Sequence, residues 1–323
     1  MGVSSMDVLP VKFCCGDMVV VAHEGDFIII NERYAVVTGA NKGIGLEVSR
    51  QLASQGVVVI LTARNESRGR KALVNLRKLG IPSDNLEFHQ LDVTDPSSIA
   101  SLADFINAKF GKLDILVSNA GILGATADFD AVKAAGFDTP EACEMITLSY
   151  ELAEECIKTN YYGAKATSET LLPLLQLSDS PRIVIVSSSV GQLKNIPSER
   201  VRGILGNAES LTEEKIDEVL KEFLKDFKEG SHKTKGWPTF LPPYFMSKAA
   251  LNAYTRILAK KHPSIIINCL CPGYVRTDLN NNSGVLPVED GGASCVRLAL
   301  LPHGSPSGLF YLRNDVSSYE SCF

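Results

Sequence analysis

The sequence has no long apolar run, and this absence excludes a membrane-spanning helix. The longest apolar stretches, such as residues 57–61 and 265–267, have the length of strands and fall far below the roughly 18 residues that a span requires. An excess of basic charge is also missing. The formal net charge is −5, and lysine and arginine form no stripe with interleaved aromatic residues. We therefore expect neither a membrane nor a nucleic acid as a partner.

The eight cysteines lack the spacing of a metal site. No CxxC pair occurs, and no histidine stands at zinc-finger distance from a cysteine. Free thiols are typical of a reducing compartment, so we expect a cytoplasmic protein that binds no metal.

The first 33 residues lack the unbroken apolar core of a signal peptide. Their two apolar runs are separated by His23, Glu24 and Asp26. This N-terminal extension, residues 1–33, is either a β-hairpin that turns at Glu24-Gly25 or a poorly ordered segment. The sequence does not decide between the two.

From Tyr34 onward, short β-branched runs alternate with longer amphipathic stretches. This alternation is typical of βαβ units and of a parallel sheet buried on both faces. The predicted strands are residues 34–38, 57–62, 86–90, 113–118, 182–187, 265–270 and 309–312. The predicted helices are approximately residues 43–55, 66–79, 97–110, 153–175, 244–261 and 289–300. We predict one α/β domain over residues 34–323, built on a doubly wound parallel sheet of seven strands.

Two stretches interrupt this rhythm. They are residues 123–147 and a larger block, residues 192–243, which has a helical pattern of its own at 212–227. Long excursions from compact domains are usually lids or binding loops. We therefore expect both insertions to shape a substrate pocket, and we call residues 192–243 the flap.

A glycine-rich turn directly follows the first predicted strand and opens the first predicted helix. It comprises Thr38, Gly39, Ala40, Asn41, Lys42, Gly43, Ile44 and Gly45. Glycines in such a place let the backbone turn tightly and approach a pyrophosphate, whose charge the helix N-terminus then meets. The position between a strand and a helix favours a dinucleotide site over a glycine turn that binds nothing.

A cation stands where a carboxylate would select NAD. In NAD sites the second strand ends near an acidic residue that accepts a hydrogen bond from the ribose 2′-hydroxyl. Here that strand ends in Leu61-Thr62-Ala63-Arg64. Arg64 can bind a 2′-phosphate, with Lys42 as a second cation, so the sequence favours NADPH over NADH. The alternative is that Arg64 is a solvated surface side chain.

Further candidate cofactor contacts follow the third and fourth predicted strands. Asp92-Val93 comes after the third strand, and Asn119-Ala120-Gly121 comes after the fourth. The carboxyl ends of strands are where open α/β sheets bind ligands. The small residues beside Asn119 suit close packing against a nucleotide, whereas Asp92 is as well explained as a turn or helix-cap residue.

Tyr244 and Lys248 have the i, i+4 spacing that places two side chains on one face of a helix. A free tyrosine has a pKa of about 10, and a nearby ammonium together with a nicotinamide cation lowers it. Tyr244 can then give a proton to a developing alkoxide, with Ser188 hydrogen-bonded to the same oxygen. A YxxxK pattern is weak by itself, and the order of the motifs along the chain gives it weight.

Taken in order, these motifs resemble the short-chain dehydrogenase/reductase superfamily over residues 34–312. The matching positions are the TGxxxGxG turn at 38–45, Asn119-Ala120-Gly121, Asn160, Ser188, Tyr244 with Lys248, and Pro272-Gly273 followed by Thr277. One departure is Ser118, where the family more usually has asparagine. The long connection between Ser188 and Tyr244 resembles the monomeric carbonyl reductases, and most closely a plant group that includes salutaridine reductase and menthone or neomenthol reductases.

The resemblance implies a Rossmann-type fold and a role for each motif residue. Tyr244 would be the general acid, and Lys248 would hold the ribose and lower the tyrosine pKa. Ser188 would orient the carbonyl, and Asn160 would support a water that leads to Lys248. We choose Ser188 over its serine neighbours because the family's serine stands three residues before a glycine, here Gly191.

The resemblance also implies contacts, an activity and an oligomeric state. Val275 and Thr277 would touch the nicotinamide carboxamide, and the flap would cover the helix through which dimeric relatives pair, leaving a monomer. The expected activity is reversible NADPH-linked reduction of a small or mid-sized hydrophobic ketone or aldehyde. Two alternatives stay open: a catalytically silent nucleotide-binding or interaction protein on the same scaffold, and an NAD-linked alcohol dehydrogenase.

Overall fold

Within the described residues, the chain forms thirteen strands in three sheets. The computed structural model describes the backbone of residues 12–15, 18–23, 26–137 and 139–320, and the side chains of residues 32–137 and 139–320. The strands are β1 (Lys12–Cys15), β2 (Met18–His23), β3 (Asp26–Asn31), β4 (Tyr34–Val37), β5 (Val58–Ala63), β6 (Leu86–Gln90), β7 (Ile115–Ser118), β8 (Thr126–Ala127), β9 (Ile146–Thr147), β10 (Arg182–Val186), β11 (Ile266–Cys271), β12 (Phe310–Leu312) and β13 (Asp315–Ser317).

The eight-stranded sheet is the centre of the fold. Its order is β13-β12-β11-β10-β7-β4-β5-β6, and every neighbouring pair is parallel except β12 with β13. The first parallel strand, β4, therefore lies in the interior, and the chain winds outward from it in both directions. Helices cover both faces, which is why β4, β5, β7 and β10 are buried along their whole length. The strand order reverses at the carboxyl ends of β4 and β7, where such sheets bind ligands.

Helices form a layer on each side of the sheet. Those described are α1 (Gly43–Ser54), α2 (Glu66–Lys78), α3 (Pro96–Phe110), α4 (Phe129–Ala135), α5 (Pro140–Glu144), α6 (Tyr150–Ile157), α7 (Gly163–Leu175), α8 (Glu199–Gly206), α9 (Glu213–Lys228), α10 (Pro242–Lys261) and α11 (Val288–Ala299). Helices α1, α2 and α11 pack on one face, and α3, α6, α7 and α10 pack on the other. None of the described helices is long and apolar enough to cross a membrane.

The sheet has one strand more than the seven predicted. All seven predicted strands form, and each ends within two residues of its predicted bounds. The eighth, β13, pairs antiparallel with β12 after a turn in which Arg313 has a φ of 57°. The prediction missed β13 because it has three residues, two of them exposed, and no apolar alternation to mark it.

The N-terminal extension contains a β-hairpin, which was one of the two possibilities that the sequence allowed. Strands β2 and β3 pair antiparallel, with His23 opposite Asp26. The residues between them, Glu24 and Gly25, lie outside the described residues. Strand β1 also pairs with β2, so this segment is a three-stranded antiparallel sheet.

The first insertion lies beside the end of the flap. Residues 123–147 contain α4, α5 and the two-stranded sheet β8-β9. Phe129 and Val132 of α4 belong to one apolar cluster with Phe240 and Phe245. The two insertions that the sequence singled out therefore share an apolar contact.

The flap packs on helix α10. Helix α9 is amphipathic, and its apolar side chains Ile216, Val219, Leu220 and Phe223 are buried. This helix lies against α10 and α6, and α8 also contacts α10. Burial of this apolar face is the main reason that the flap is folded, because a helix of this length is marginal in water without packing.

The buried carboxylate of Asp226 fixes the turn after α9. The indole N–H of Trp237 donates to the Asp226 carboxylate at 2.8 Å, and the Lys235 ammonium donates to the other carboxylate oxygen at 2.5 Å. Burial opposes ionisation of Asp226, but the hydrogen bonds from Lys235 and Trp237 outweigh it and lower the pKa of this carboxyl. The end of the flap is thus held in place before the chain enters α10.

Candidate active site

Helix α1 presents an open N-terminus at the carboxyl end of β4. Within the described residues, its N-cap Lys42 makes no side-chain cap hydrogen bond, and no acidic residue occupies the first turn. Helices α2 and α3, by contrast, are capped by the side chains of Asn65 and Asp95. The first amide groups of α1 are therefore left for an anion, as in dinucleotide sites.

The glycine turn is locked against the end of β7. The Thr38 hydroxyl accepts hydrogen bonds from the N–H groups of Asn119 and Ala120, both at 2.9 Å. The Asn119 side chain donates to the Thr38 carbonyl at 2.9 Å. A β carbon on Gly45 would lie 2.4 Å from the Asn119 amide nitrogen, and one on Gly39 would lie 3.0 Å from Ala120 Cα. Only glycine permits this close approach.

A cleft of about 850 Å³ opens at this point of the sheet. Its walls contain most of the residues predicted to bind the cofactor, namely Gly39, Asn41, Lys42, Gly43, Ile44, Arg64, Asp92, Val93, Asn119, Ala120, Gly121 and Thr277. Ala125 and Phe129 of the first insertion line it as well. The volume is within the range of small-molecule and cofactor sites.

Four residues predicted to contact the cofactor are outside the described lining of the cleft, namely Gly45, Tyr244, Lys248 and Val275. Gly45 is buried against Asn119. Val275 is 4% exposed, and a β carbon on Gly291 of α11 would come within 2.8 Å of its side chain. The structure gives Gly45 and Val275 a packing role, and the contact of all four residues with a cofactor stays a prediction.

The cations predicted to bind a 2′-phosphate are paired with carboxylates at the cleft. Arg64 Nη1 lies 3.6 Å from Glu155 Oε1, and Lys42 Nζ lies 3.0 Å from Asp278 Oδ2. These four side chains are 48–69% exposed, so each pair contributes little free energy and can open to a phosphate. Arg68, which the sequence analysis missed, also lines the cleft. The sequence could have indicated Arg68, because it stands four residues after Arg64 and that spacing can place two side chains on the same side of a helix.

The sequence left Asp92 as either a residue of the cofactor site or a turn residue, and the structure gives it both positions. It lines the cleft, and its Oδ1 accepts hydrogen bonds from the N–H and hydroxyl groups of Thr94 at 2.9 and 2.7 Å. Val93 also lines the cleft and packs on Gly163 of α7, where a β carbon would lie 2.7 Å from Val93 Cγ2. Asp92 is therefore a turn residue at the cleft wall, and its contact with a cofactor stays a prediction.

Helix α10 begins just before Tyr244 for a local reason. Pro242 occupies the first helical position, where a missing N–H costs nothing. The preceding Leu241 has a φ of 42° and a ψ of 49°, a left-handed conformation that is strained for leucine. Strain of this kind is often kept at functional sites, and here it directs the end of the flap into the helix that carries Tyr244.

Tyr244, Lys248 and Ser188 come together at the inner face of α10. Lys248 Nζ is 5.4 Å from the centroid of the Tyr244 ring. The Ser188 side chain lies close enough to the Tyr244 phenol to act on its pKa as a hydrogen-bond partner. Lys248 is 4% exposed, and its ammonium donates to the Val186 carbonyl at 2.8 Å. A phenol, a hydroxyl and a buried cation thus share one small volume.

Burial shifts the pKa values of two of these groups. It raises the pKa of the Tyr244 phenol above its ordinary value, although the hydrogen bond with Ser188 opposes the shift. The lowering predicted from the sequence involved a nicotinamide cation beside Lys248, so it stays a prediction for the protein with its cofactor bound. Burial also lowers the pKa of Lys248 to about 8. At pH 7 such a group is still about nine-tenths protonated, so Lys248 keeps its charge beside the phenol.

The three consecutive serines make different contacts. The Ser187 hydroxyl donates to Asn252 Oδ1 at 2.6 Å, and the Ser189 hydroxyl accepts from a cysteine thiol of β11 at 3.6 Å. Of these three serines, Ser188 is the one whose side chain affects the pKa of the Tyr244 phenol. This agrees with the choice made from the position of the following glycine, and the role of Ser188 stays a prediction.

Asn160 lies in a π-helical turn, Lys158–Tyr162, between α6 and α7. The sequence predicted one uninterrupted helix here. The side chain of Asn160 accepts from Ile122 N–H at 2.8 Å and donates to the Ile122 carbonyl and to Ser247 Oγ, both at 2.9 Å. Ser247, missed by the sequence analysis, in turn donates to the Tyr244 carbonyl at 2.8 Å. Asn160 is thus bonded to the helix of Tyr244, and π-turns frequently occur at such sites.

Asn160 and Lys248 approach Gly121 from two sides. A β carbon on Gly121 would lie 3.2 Å from Asn160 Oδ1 and 3.7 Å from Lys248 Nζ. The water expected between Asn160 and Lys248 stays a prediction. No group of three or more His, Cys, Asp or Glu side chains in the described part of the chain is placed to hold a metal ion.

Known proteins are similar to this chain over nearly their full length. A family profile described as short chain dehydrogenase matches residues 33–199. Short-chain dehydrogenase/reductase 1 of Saponaria officinalis is 62% identical over 301 residues, covering 92% of this chain and 99% of that protein. (+)-Neomenthol dehydrogenase of Arabidopsis thaliana is 58% identical, covering 89% and 98%. The structure of salutaridine reductase from Papaver somniferum matches with a TM-score of 0.83 and 50% identity, covering 87% of this chain and 99% of that chain.

Proposed function

This chain belongs to the short-chain dehydrogenase/reductase family and is an oxidoreductase of that family, and from this premise we propose that it is an NADPH-dependent carbonyl reductase. Its substrate would be a small or mid-sized hydrophobic ketone or aldehyde, or the alcohol in the reverse direction. The observation that carries the proposal is the meeting of Tyr244 and Ser188 with Lys248, whose ammonium lies close to Gly121 of the cleft lining. The presence of all three residue types argues against the alternative of a catalytically silent protein on the same scaffold.

The cleft fits a phosphorylated dinucleotide. The uncapped N-terminus of α1 offers amide groups to a pyrophosphate, and Gly39 and Gly43, with φ values of 64° and 57°, keep the backbone free of side chains there. Arg64 and Lys42 would bind the 2′-phosphate, since their exposed pairs with carboxylates contribute little free energy and can give way to charge-assisted contacts with a phosphate. When bound, the cofactor supplies the hydride.

The protein's own part is to bind and protonate the carbonyl oxygen. Ser188 and Tyr244 would both donate hydrogen bonds to that oxygen, and Tyr244 would transfer its proton as negative charge develops. Lys248, charged at pH 7, would stabilise the phenolate left behind. Asn160 would hold the π-turn against Ser247 and so fix the position of Tyr244 relative to the cleft.

The surroundings of Tyr244 suit an apolar substrate. Tyr244 packs against an apolar cluster that includes Phe129, Phe240 and Phe245. Phe137 adds edge-on contacts to Phe240, with ring centroids 6.0 Å apart. Aromatic walls with a few placed polar groups are typical of pockets for hydrophobic ligands. Neomenthol and salutaridine, for which two similar proteins are named, support this substrate class.

A screen of NADPH oxidation over cyclic ketones, quinones and aldehydes tests the function. We expect turnover with at least one class. Binding of NADPH without turnover of any class would instead favour the silent nucleotide-binding alternative. The described cysteines Cys156, Cys269, Cys271 and Cys295 are free thiols, which supports a cytoplasmic location as part of the proposal.

Arg64→Ala should weaken NADPH binding by about tenfold or more and leave NADH binding little changed, because a lost charge-assisted contact costs on the order of 1.5 to 3 kcal/mol. Titration calorimetry with both cofactors measures this. Arg70→Ala is the matched control, since Arg70 is an exposed arginine of α2 that pairs with Glu66 and lies outside the described cleft lining. Equal losses for NADPH and NADH would contradict the NADPH assignment and favour the NAD-linked alternative.

The protein should be a monomer in solution. The flap helices α8 and α9 lie on α10, and Val219 and Phe223 are buried in that contact layer. In dimeric relatives this helix face is the one that pairs, so the flap would take the place of a second subunit. Light scattering should therefore give about the chain mass of 34.9 kDa. Twice that value would show that pairing uses this or another surface.

A further inference from the structure

The last described residues lie along residues 192–195, which we call the base of the flap. The backbone N–H groups of Leu193 and Lys194 donate to two consecutive carbonyls of residues 318–320, which we call the tail, at 2.9 and 3.0 Å. The side chain of Gln192 donates to a third tail carbonyl, that of Ser318, at 2.8 Å. Three successive flap residues are thus bonded to a segment that lies 126 residues away along the chain.

Arg256 of α10 joins the tail to the far end of α8. Its guanidinium lies over the ring of Tyr319, 5.0 Å from the centroid. The same group donates to the carbonyls of Leu205 and Gly206, the latter at 3.1 Å. A cation suits this position because the last carbonyls of a helix lack partners and carry the negative end of its dipole. One arginine therefore contacts both the flap and the tail from the helix that carries Tyr244.

The base of the flap is continuous with the turn that carries Ser188. Asn195 donates to the Ser189 carbonyl at 2.9 Å and to the next carbonyl at 3.2 Å, which ties the flap base back to this turn. On the other side, a β carbon on Gly191 would lie 2.5 Å from the backbone of Lys248. The turn is held by Asn195 on one side and by the Lys248 backbone on the other. A displacement of the flap base would therefore also displace Ser188.

We propose that Arg256 and Tyr319 are positioning residues for the substrate. They hold the flap base against α10, and they thereby fix where a bound carbonyl compound lies relative to Ser188 and Tyr244. This inference rests on the proposed reductase function. None of the flap or tail residues is among the described residues that line the cleft. Substrate binding should therefore depend on these two residues, whereas cofactor binding should not.

Arg256→Met, which keeps the apolar stem and removes the guanidinium, should raise KM for an accepted ketone by about fivefold, the usual order for residues that act on a site from a distance. The Kd of NADPH should stay within about twofold, since the cleft keeps all of its groups. Arg297→Met is a matched control. Arg297 also lies over a tyrosine ring, 5.6 Å from the centroid of Tyr311, and also donates to a backbone carbonyl, but it stands on α11 away from the flap. Its KM should equal that of the wild type.

Amide hydrogen exchange of the free protein gives a readout without substrate. In Arg256→Met, the amides of residues 193–211 should exchange about tenfold faster, while those of α1 keep their wild-type rates. Tyr319→Leu, which removes the ring beneath the guanidinium, should give the same pattern in exchange and in KM. Uniformly faster exchange throughout the chain, or wild-type KM and exchange in both variants, would overturn the positioning role. A wild-type protein that turned over no carbonyl compound would contradict the reductase function instead and would leave the exchange result to stand by itself.

Discussion

Tyr244→Phe should lower the rate of the chemical step by about 10²- to 10⁴-fold and leave NADPH affinity unchanged. The substitution removes one hydroxyl group. The ring keeps its packing against the apolar cluster and its place 5.4 Å from the Lys248 ammonium, so the site should retain its shape. What disappears is the proton that the phenol supplies as the carbonyl oxygen becomes an alkoxide. Cofactor affinity by fluorescence, measured beside single-turnover rates, separates the two effects.

Tyr254→Phe is the matched control for this result. Tyr254 stands on the same helix, and its buried hydroxyl has no hydrogen-bond partner among the described residues. Removing that hydroxyl should therefore leave turnover and cofactor affinity as they are. A Tyr244→Phe protein that kept more than about a tenth of the wild-type rate would show that another group donates the proton, because loss of a general acid costs more than that.

Lys248→Ala should weaken NADPH binding by about tenfold and slow the chemical step by about 10²-fold. Two causes add here, since the lysine is expected both to grip the nicotinamide ribose and to stabilise the phenolate of Tyr244. Tyr244→Phe should change the chemical step alone, so comparison of the two variants assigns the two roles. The same fluorescence titration and single-turnover assay measure both effects.

A second substitution separates the charge of Lys248 from its packing. Lys248 is 4% exposed, so alanine would leave a cavity, whereas Lys248→Met keeps the stem and removes only the ammonium. Burial lowers the pKa of Lys248 to about 8, so the wild-type charge is present below that pH and is lost as pH rises through it. The rate defect of Lys248→Met should therefore be larger at about pH 7 than at about pH 9. A defect independent of pH would indicate that the charge of Lys248 does not act on Tyr244. Lys260→Ala, an exposed lysine of α10, should change none of these quantities.

The candidate site was only partly accessible from the sequence. The i, i+4 spacing of Tyr244 and Lys248 required that they share a helix face, because that relation holds on any α-helix. The partners of Asn160 could not be derived in this way. Its side chain bonds to Ile122 and Ser247, which lie 38 and 87 residues away, and no local pattern encodes contacts over such separations. The pairing of Arg64 with Glu155 was hidden for the same reason.

Local patterns along the chain were enough to predict the alternation of strands and helices, the glycine turn between β4 and α1, and the order of the motifs that identifies the family. These features follow from periodicity, backbone freedom and spacing, each of which is a property of neighbouring residues. Three further features were visible only in the folded chain: an eighth strand extends the sheet, Gly45 and Val275 pack against Asn119 and Gly291, and the tail lies along the flap base. These features depend on which distant segments meet when both faces of the sheet are covered, and burial of apolar surface fixes that choice for the whole chain at once.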